Sequence, residues 1–117
     1  MSDNLKKLNK VVVLGSKGFI GNAICKNLNK LGCDYLPLSR NEIDLSEDDA
    51  ETKLLSYIKD GDILVASAAV APVKNLNMFI QNLKITNSIC KALSQVKVSY
   101  FLNISSDAIY EDTMNLL

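Results

Sequence analysis

The chain has 117 residues, 48% of them hydrophobic, with 13 acidic and 13 basic residues and no histidine. That length supports one hydrophobic core and not two domains. The balanced charge carries no nucleic-acid footprint or polybasic membrane patch, and the missing histidine excludes a Ser-His or Cys-His catalytic pair from these residues.

Met1 to Asn9 is a polar lead-in without the apolar centre of a signal peptide, and no later run approaches the ~20 apolar residues that cross a bilayer. A cytoplasmic location is expected, with a small molecule or another protein as partner and neither nucleic acid nor membrane. The stretch Lys10 to Ile24, KVVVLGSKGFIGNAI, organises the rest. Val11 to Leu14 are β-branched or apolar and predict a strand, Gly15, Gly18 and Gly21 a turn, and the residues after them an amphipathic helix. A strand, glycine turn and helix in that order present backbone N–H groups and a helix N-terminus to the pyrophosphate of a dinucleotide. Gly15 permits the tight turn, Gly18 a close approach of the cofactor, and Gly21 the packing of helix on strand.

Ile20, Ala23, Ile24, Leu28 and Leu31 recur at helical spacing, and Gly32 sits where a C′ residue belongs. Cys25, Cys33 and Cys90 are odd in number and lack metal-ligand spacing, which predicts reduced thiols and no metal site. Asp34 to Ser39 predicts a second strand, against which Pro37 counts, because proline removes a ladder donor. In a dinucleotide fold an acid at this strand's end bonds the ribose of NAD, whereas an arginine accommodates the extra phosphate of NADP. The sequence offers Ser39 and Arg40 there and no acid. Lys17 in the glycine turn adds a second positive charge, so NADP is expected ahead of NAD, unless both cations are ordinary surface charges.

Ser46 with Asp49 resembles a capping box, and the helix it opens is expected to run to about Lys59 with Leu54, Leu55 and Ile58 inward and Gly61 as its stop. Asp62 to Ala66 predicts the third strand, Val70 to Asn77 a loop at its carboxyl end, and Met78 to Ala92 a helix with Phe79, Leu83, Ile89, Cys90 and Leu93 facing inward. The apolar half of Ser99 to Tyr110 predicts a fourth strand. The expected fold is therefore α/β, a Rossmann-type doubly wound parallel sheet of order 3-2-1-4, with the fourth strand as an open edge.

The GxxGxxG spacing differs from the GxGxxG of many dehydrogenases and resembles the extended short-chain dehydrogenase/reductase family, of the NAD-dependent epimerase/dehydratase type. The resemblance covers Lys10 to Asp112. It implies that Gly15, Ser16, Lys17, Gly18, Phe19, Ile20 and Gly21 form the cofactor turn. It also implies that Asp44 accepts from the adenine amine while Leu45 lines the ring's pocket, although Asp44 also suits a plain turn. Ser67, Ala68 and Ala69 stand where the family has a small-residue motif along the cofactor ribose and diphosphate, with Ser67 in place of its usual histidine. Asn82 matches an asparagine that braces neighbouring loops. Ser106, four residues before Tyr110, matches the catalytic serine or threonine that orients the substrate oxygen.

The family's Tyr-x-x-x-Lys pair does not occur, since Tyr100 and Tyr110 are followed four residues later by Ile104 and Met114. Residues 1–117 are accordingly expected to be the N-terminal part of a single NAD(P)-binding Rossmann domain, truncated before the later strands, of a longer enzyme that could form a homodimer. Asp107 lacks the neighbouring glutamate of the dehydratase branch, so reduction or epimerisation of a nucleotide sugar is expected ahead of dehydration. The lysine in the turn and the short path from Arg40 to Asp44 are most similar to reductases of the GDP-fucose synthase and dTDP-4-dehydrorhamnose reductase types. An epimerase that retains NAD, and a non-catalytic sensor or scaffold that binds the cofactor without turnover, are the alternatives.

Overall fold

The computed structural model describes residues 10–67 and 74–104. Four strands alternate with three helices: β1 (Val11–Leu14), α1 (Phe19–Lys30), β2 (Tyr35–Leu38), α2 (Ala50–Tyr57), β3 (Ile63–Ala66), α3 (Leu76–Leu93) and β4 (Tyr100–Asn103). The strands form one parallel sheet in the order β2-β1-β3-β4. Val12 pairs with Leu36 on one side and Leu64 on the other, and Leu64 in turn with Phe101.

The α/β class and the parallel sheet are as expected, but the order is not 3-2-1-4. The third strand lies on the other flank of β1, and the reason is in β2. Asp34 and Leu38 accept backbone hydrogen bonds from Val11 and Gly15, so the even-numbered positions of β2 face β1 and Pro37 faces away. Its missing N–H is harmless on an outer edge and would break a ladder in the interior. The chain after Arg40 makes turns instead of a further strand.

Connections leave β1 toward β2 and return toward β3 in opposite directions. Right-handed crossovers therefore put α1 on one face of the sheet and α2 with α3 on the other. The larger core lies on the second face, where Val12, Leu14, Leu64 and Ala66 meet Leu54 and Ile58 of α2 and Ile85, Ile89 and Ala92 of α3. Val13 and Val65, at alternate positions, point to the face that α1 covers.

Helix ends follow local chemistry. α1 stops in a Schellman motif: the Cys33 and Gly32 amides donate to the Leu28 and Asn29 carbonyls at 3.0 and 3.2 Å, with Gly32 at φ +72°. α2 is shorter than expected at both ends. Ser46 does not cap it, because its N–H and hydroxyl both donate to Asp44 Oδ1, at 3.0 and 2.6 Å; this local turn competes with helix formation. The helix begins after Asp49 and ends at Tyr57, whereas Gly61, at φ +89°, belongs to the turn into β3.

The inward faces are rotated from those the sequence suggested. On α1, Gly21 and Cys25 are buried while Ala23 and Leu31 are exposed. On α3, Ile85, Ile89 and Ala92 are buried, whereas Phe79 and Leu83 are about half exposed and Cys90 is exposed. No described helix is long and apolar enough to cross a membrane.

Asp62 ties the amino ends of the strands together. Its carboxylate, almost fully buried, accepts from Lys10 Nζ at 2.6 Å and from the Lys59 amide at 2.8 Å, while its carbonyl accepts from Ser99 N–H at 2.7 Å. Removing one partner of a buried pair strands the other. Asp62→Ala is expected to lower unfolding stability by about 3 kcal/mol, measured by urea denaturation.

Candidate functional site

The site lies where the connections of β1 and β3 diverge. In open α/β sheets this switch point leaves a crevice at the carboxyl ends of the strands. Here the Ser67 amide donates to the Leu14 carbonyl at 3.0 Å, so the segments leaving β1 and β3 start side by side. A cavity of about 260 Å³ opens at this end, lined by residues that include Gly15, Lys17, Gly18, Arg40, Asp44, Leu45 and Ser67.

The glycine turn is built by packing. Gly15 has φ +77°, which a residue with a Cβ rarely adopts, and its N–H donates to Leu38 O at 2.9 Å. Gly21 lies so close beneath it that an added Cβ would stand 2.1 Å from the Gly15 carbonyl oxygen. Helix and turn could not approach this closely with any other residue there. At Gly18 an added Cβ would meet Gly15 O at 3.4 Å, ordinary contact, so this glycine is not required by internal packing. It borders the cavity instead, as the N-cap of α1.

That cap supplies no side-chain hydrogen bond, and the first turn of α1 holds no acid. The N–H groups of Phe19, Ile20 and Gly21 begin a helix that leaves them without intrahelical acceptors. The partial positive charge of the helix end therefore suits an anion. Ser16, Phe19, Ile20 and Gly21 are not among the residues that line the cavity; Ser16 is buried and Phe19 is 93% exposed. Ala68, Ala69 and Ser106 lie outside the described residues, as do Asp107 and Tyr110. Asn82 is half-buried on α3.

Asp44 closes a turn and also borders the cavity. Oδ1 closes the turn with Ser46, while Oδ2 lies 3.6 Å from Arg40 Nε and the residue borders the cavity. The Ser46 hydrogen bonds, with the Arg40 charge in support, hold its carboxyl below the usual range. Leu45 is buried beside it, and its carbonyl accepts from Ser88 Oγ of α3 at 3.0 Å, which fixes this segment against the helix.

Several lining residues escape a motif search. Leu14, Leu38, Ile43 and Ile85 give the cavity an apolar wall; for Ile85 the available signal was its i, i+4, i+7 spacing with Ile89 and Ala92. Glu42, next to the lining but not part of it, also went unread. The end of β2 lacks an acid in sequence, but the chain turns back after Arg40. The Glu42 and Ile43 amides both donate to Ser39 O at 3.1 Å, and Ser39 Oγ donates to Glu42 Oε2 at 2.5 Å. The Ser39-x-x-Glu42 spacing, that of a capping box, was the available sign.

Apolar walls for a flat ring, two cations and an uncapped helix end form the donor set that a nucleotide with phosphates needs. The sequence model of the NAD dependent epimerase/dehydratase family matches residues 11–115. The chain belongs to that family. Membership implies a nicotinamide cofactor, which the residues around the cavity fit. No individual curated protein and no solved structure matches the chain.

Two outcomes are expected. Gly21→Ala overpacks the turn and lowers stability by about 1–3 kcal/mol, clearly more than Gly18→Ala, when both are compared by thermal unfolding. Because the Asp44 carboxyl is held below its usual range, its stabilising contribution is complete above that range and is lost as pH falls through the lowered value. In Asp44→Asn that part of the acid-induced loss is absent from stability measured against pH.

Proposed function

We propose that the chain forms the cofactor-binding portion of a cytoplasmic NAD(P)-dependent oxidoreductase or epimerase acting on a nucleotide sugar. The observation that carries this reading is the uncapped start of α1, beside a cavity bordered by both Lys17 and Arg40. The pyrophosphate is assigned to the amides of Phe19 to Gly21. The adenine is assigned to the apolar wall around Ile43 and Leu45, with Asp44 at its edge. Arg40 and Lys17 are positioned to receive a phosphate on the ribose, which favours NADP over NAD.

A nicotinamide cofactor supplies hydride chemistry at a sugar carbon. Within that chemistry the family resemblance gives Ser106 the task of orienting the reacting oxygen. The lysine in the glycine turn and the short path from Arg40 to Asp44 support a reductase of the GDP-fucose synthase or dTDP-4-dehydrorhamnose reductase type. Titration of NADPH and NADH, followed by cofactor fluorescence, tests the reading. Arg40→Asp is expected to lower affinity for NADPH relative to NADH by about tenfold, the worth of one charge-assisted hydrogen bond. An unchanged ratio would refute the phosphate assignment.

A further inference from the structure

A serine within a helix commonly turns its hydroxyl back onto a carbonyl of the preceding turn. Ser56 in α2 and Ser94 at the end of α3 do so, donating to the Lys53 and Lys91 carbonyls. Ser88 differs. From the middle of α3, next to the buried Ile89, its hydroxyl donates outward to the Leu45 carbonyl at 3.0 Å, across 43 residues of sequence.

The stretch it reaches is otherwise shaped by hydrogen bonds of short range. The Ile43 amide donates to Ser39 O, the Ser46 amide and hydroxyl to Asp44 Oδ1, and the Glu47 amide to Asp44 O. These bonds form the turn but do not locate it against α3. Ile43 and Leu45 pack into the core, and such apolar contact is non-directional. Direction comes from Ser88.

Two cavities also meet here. Asp44, Leu45 and Ile85 border the cavity at the carboxyl ends of the strands, whereas Ser46 and Ser88 border a second cavity of about 110 Å³. Residues 44–46 are thus a partition between two spaces, where close packing is interrupted on both sides. Without the Ser88 hydroxyl the Leu45 carbonyl is free to turn toward water in the second cavity.

We infer that Ser88 is a positioning residue for the adenine end of the cofactor. Its bond to Leu45 holds that side chain where it lines the ring, and the adjoining Asp44 carboxylate where it accepts from the ring's amine. The inference rests on the dinucleotide reading above. Ser88 acts through the backbone of Leu45 and does not itself meet the cofactor.

The test compares NADP+ with its deamino form, in which hypoxanthine replaces adenine and the amine is absent, by titration calorimetry on the whole chain. The wild-type protein is expected to prefer NADP+, and Ser88→Ala to lower that preference about fivefold, the worth of one neutral hydrogen bond. Ser88→Thr, which retains a hydroxyl, is expected to keep the wild-type preference. A merely structural Ser88 lowers both affinities together. An unchanged preference in Ser88→Ala, with its circular dichroism that of the wild type, therefore overturns the assignment of Ser88 and leaves the dinucleotide reading standing. A wild-type protein that binds both without preference overturns the placing of adenine at Asp44, and this inference with it. One that binds neither overturns the dinucleotide reading as well.

Discussion

The contact of Gly21 with the Gly15 carbonyl is the constraint on which the site depends. It draws the first turn of α1 against the end of β1, closer than any side chain would allow. That approach sets the start of α1, whose cap makes no side-chain hydrogen bond, next to the cavity that Gly15 and Gly18 border. The glycines consequently divide their work: Gly15 supplies the backbone angle, Gly21 the packing, and Gly18 a bare edge beside the cavity.

The second constraint is the reversal of chain direction at β1. It separates the helices onto two faces and brings Gly15 and Ser67 to one crevice from strands that are neighbours in space but far apart in sequence. The opposite end of the sheet is closed differently, by the buried Asp62 carboxylate and its lysine and amide partners. Among the described residues, an ion pair closes the amino edge and the candidate site lies at the carboxyl edge.

Much of this was legible in the sequence, and the failures have specific causes. The glycine turn, the Gly32 stop, the four strands and the gathering of Lys17, Arg40, Asp44, Leu45 and Ser67 are encoded by local chemistry and by order along the chain. Strand order is not local, since it depends on which flank of β1 the third strand takes, and Pro37 carried the answer only once its outward direction was seen. The inward face of α3 was misread in part: Ile89 and Leu93 meet the core as expected, but Leu76, Phe79, Ile80 and Leu83 form a second apolar stripe, so hydrophobic spacing alone could not select the face. The Glu42 contact was missed because it depends on a turn that folds the residue back onto Ser39.

Pro37 has one more effect. A parallel sheet lengthens sideways by offering backbone donors and acceptors in alternation, and on the outer side of β2 one of those donors is missing. On the other flank β4 keeps its full set, with Tyr100, Phe101 and Leu102 exposed beside it. Among the described residues the sheet is therefore polar in its capacity to grow: blunted at one margin, receptive at the other.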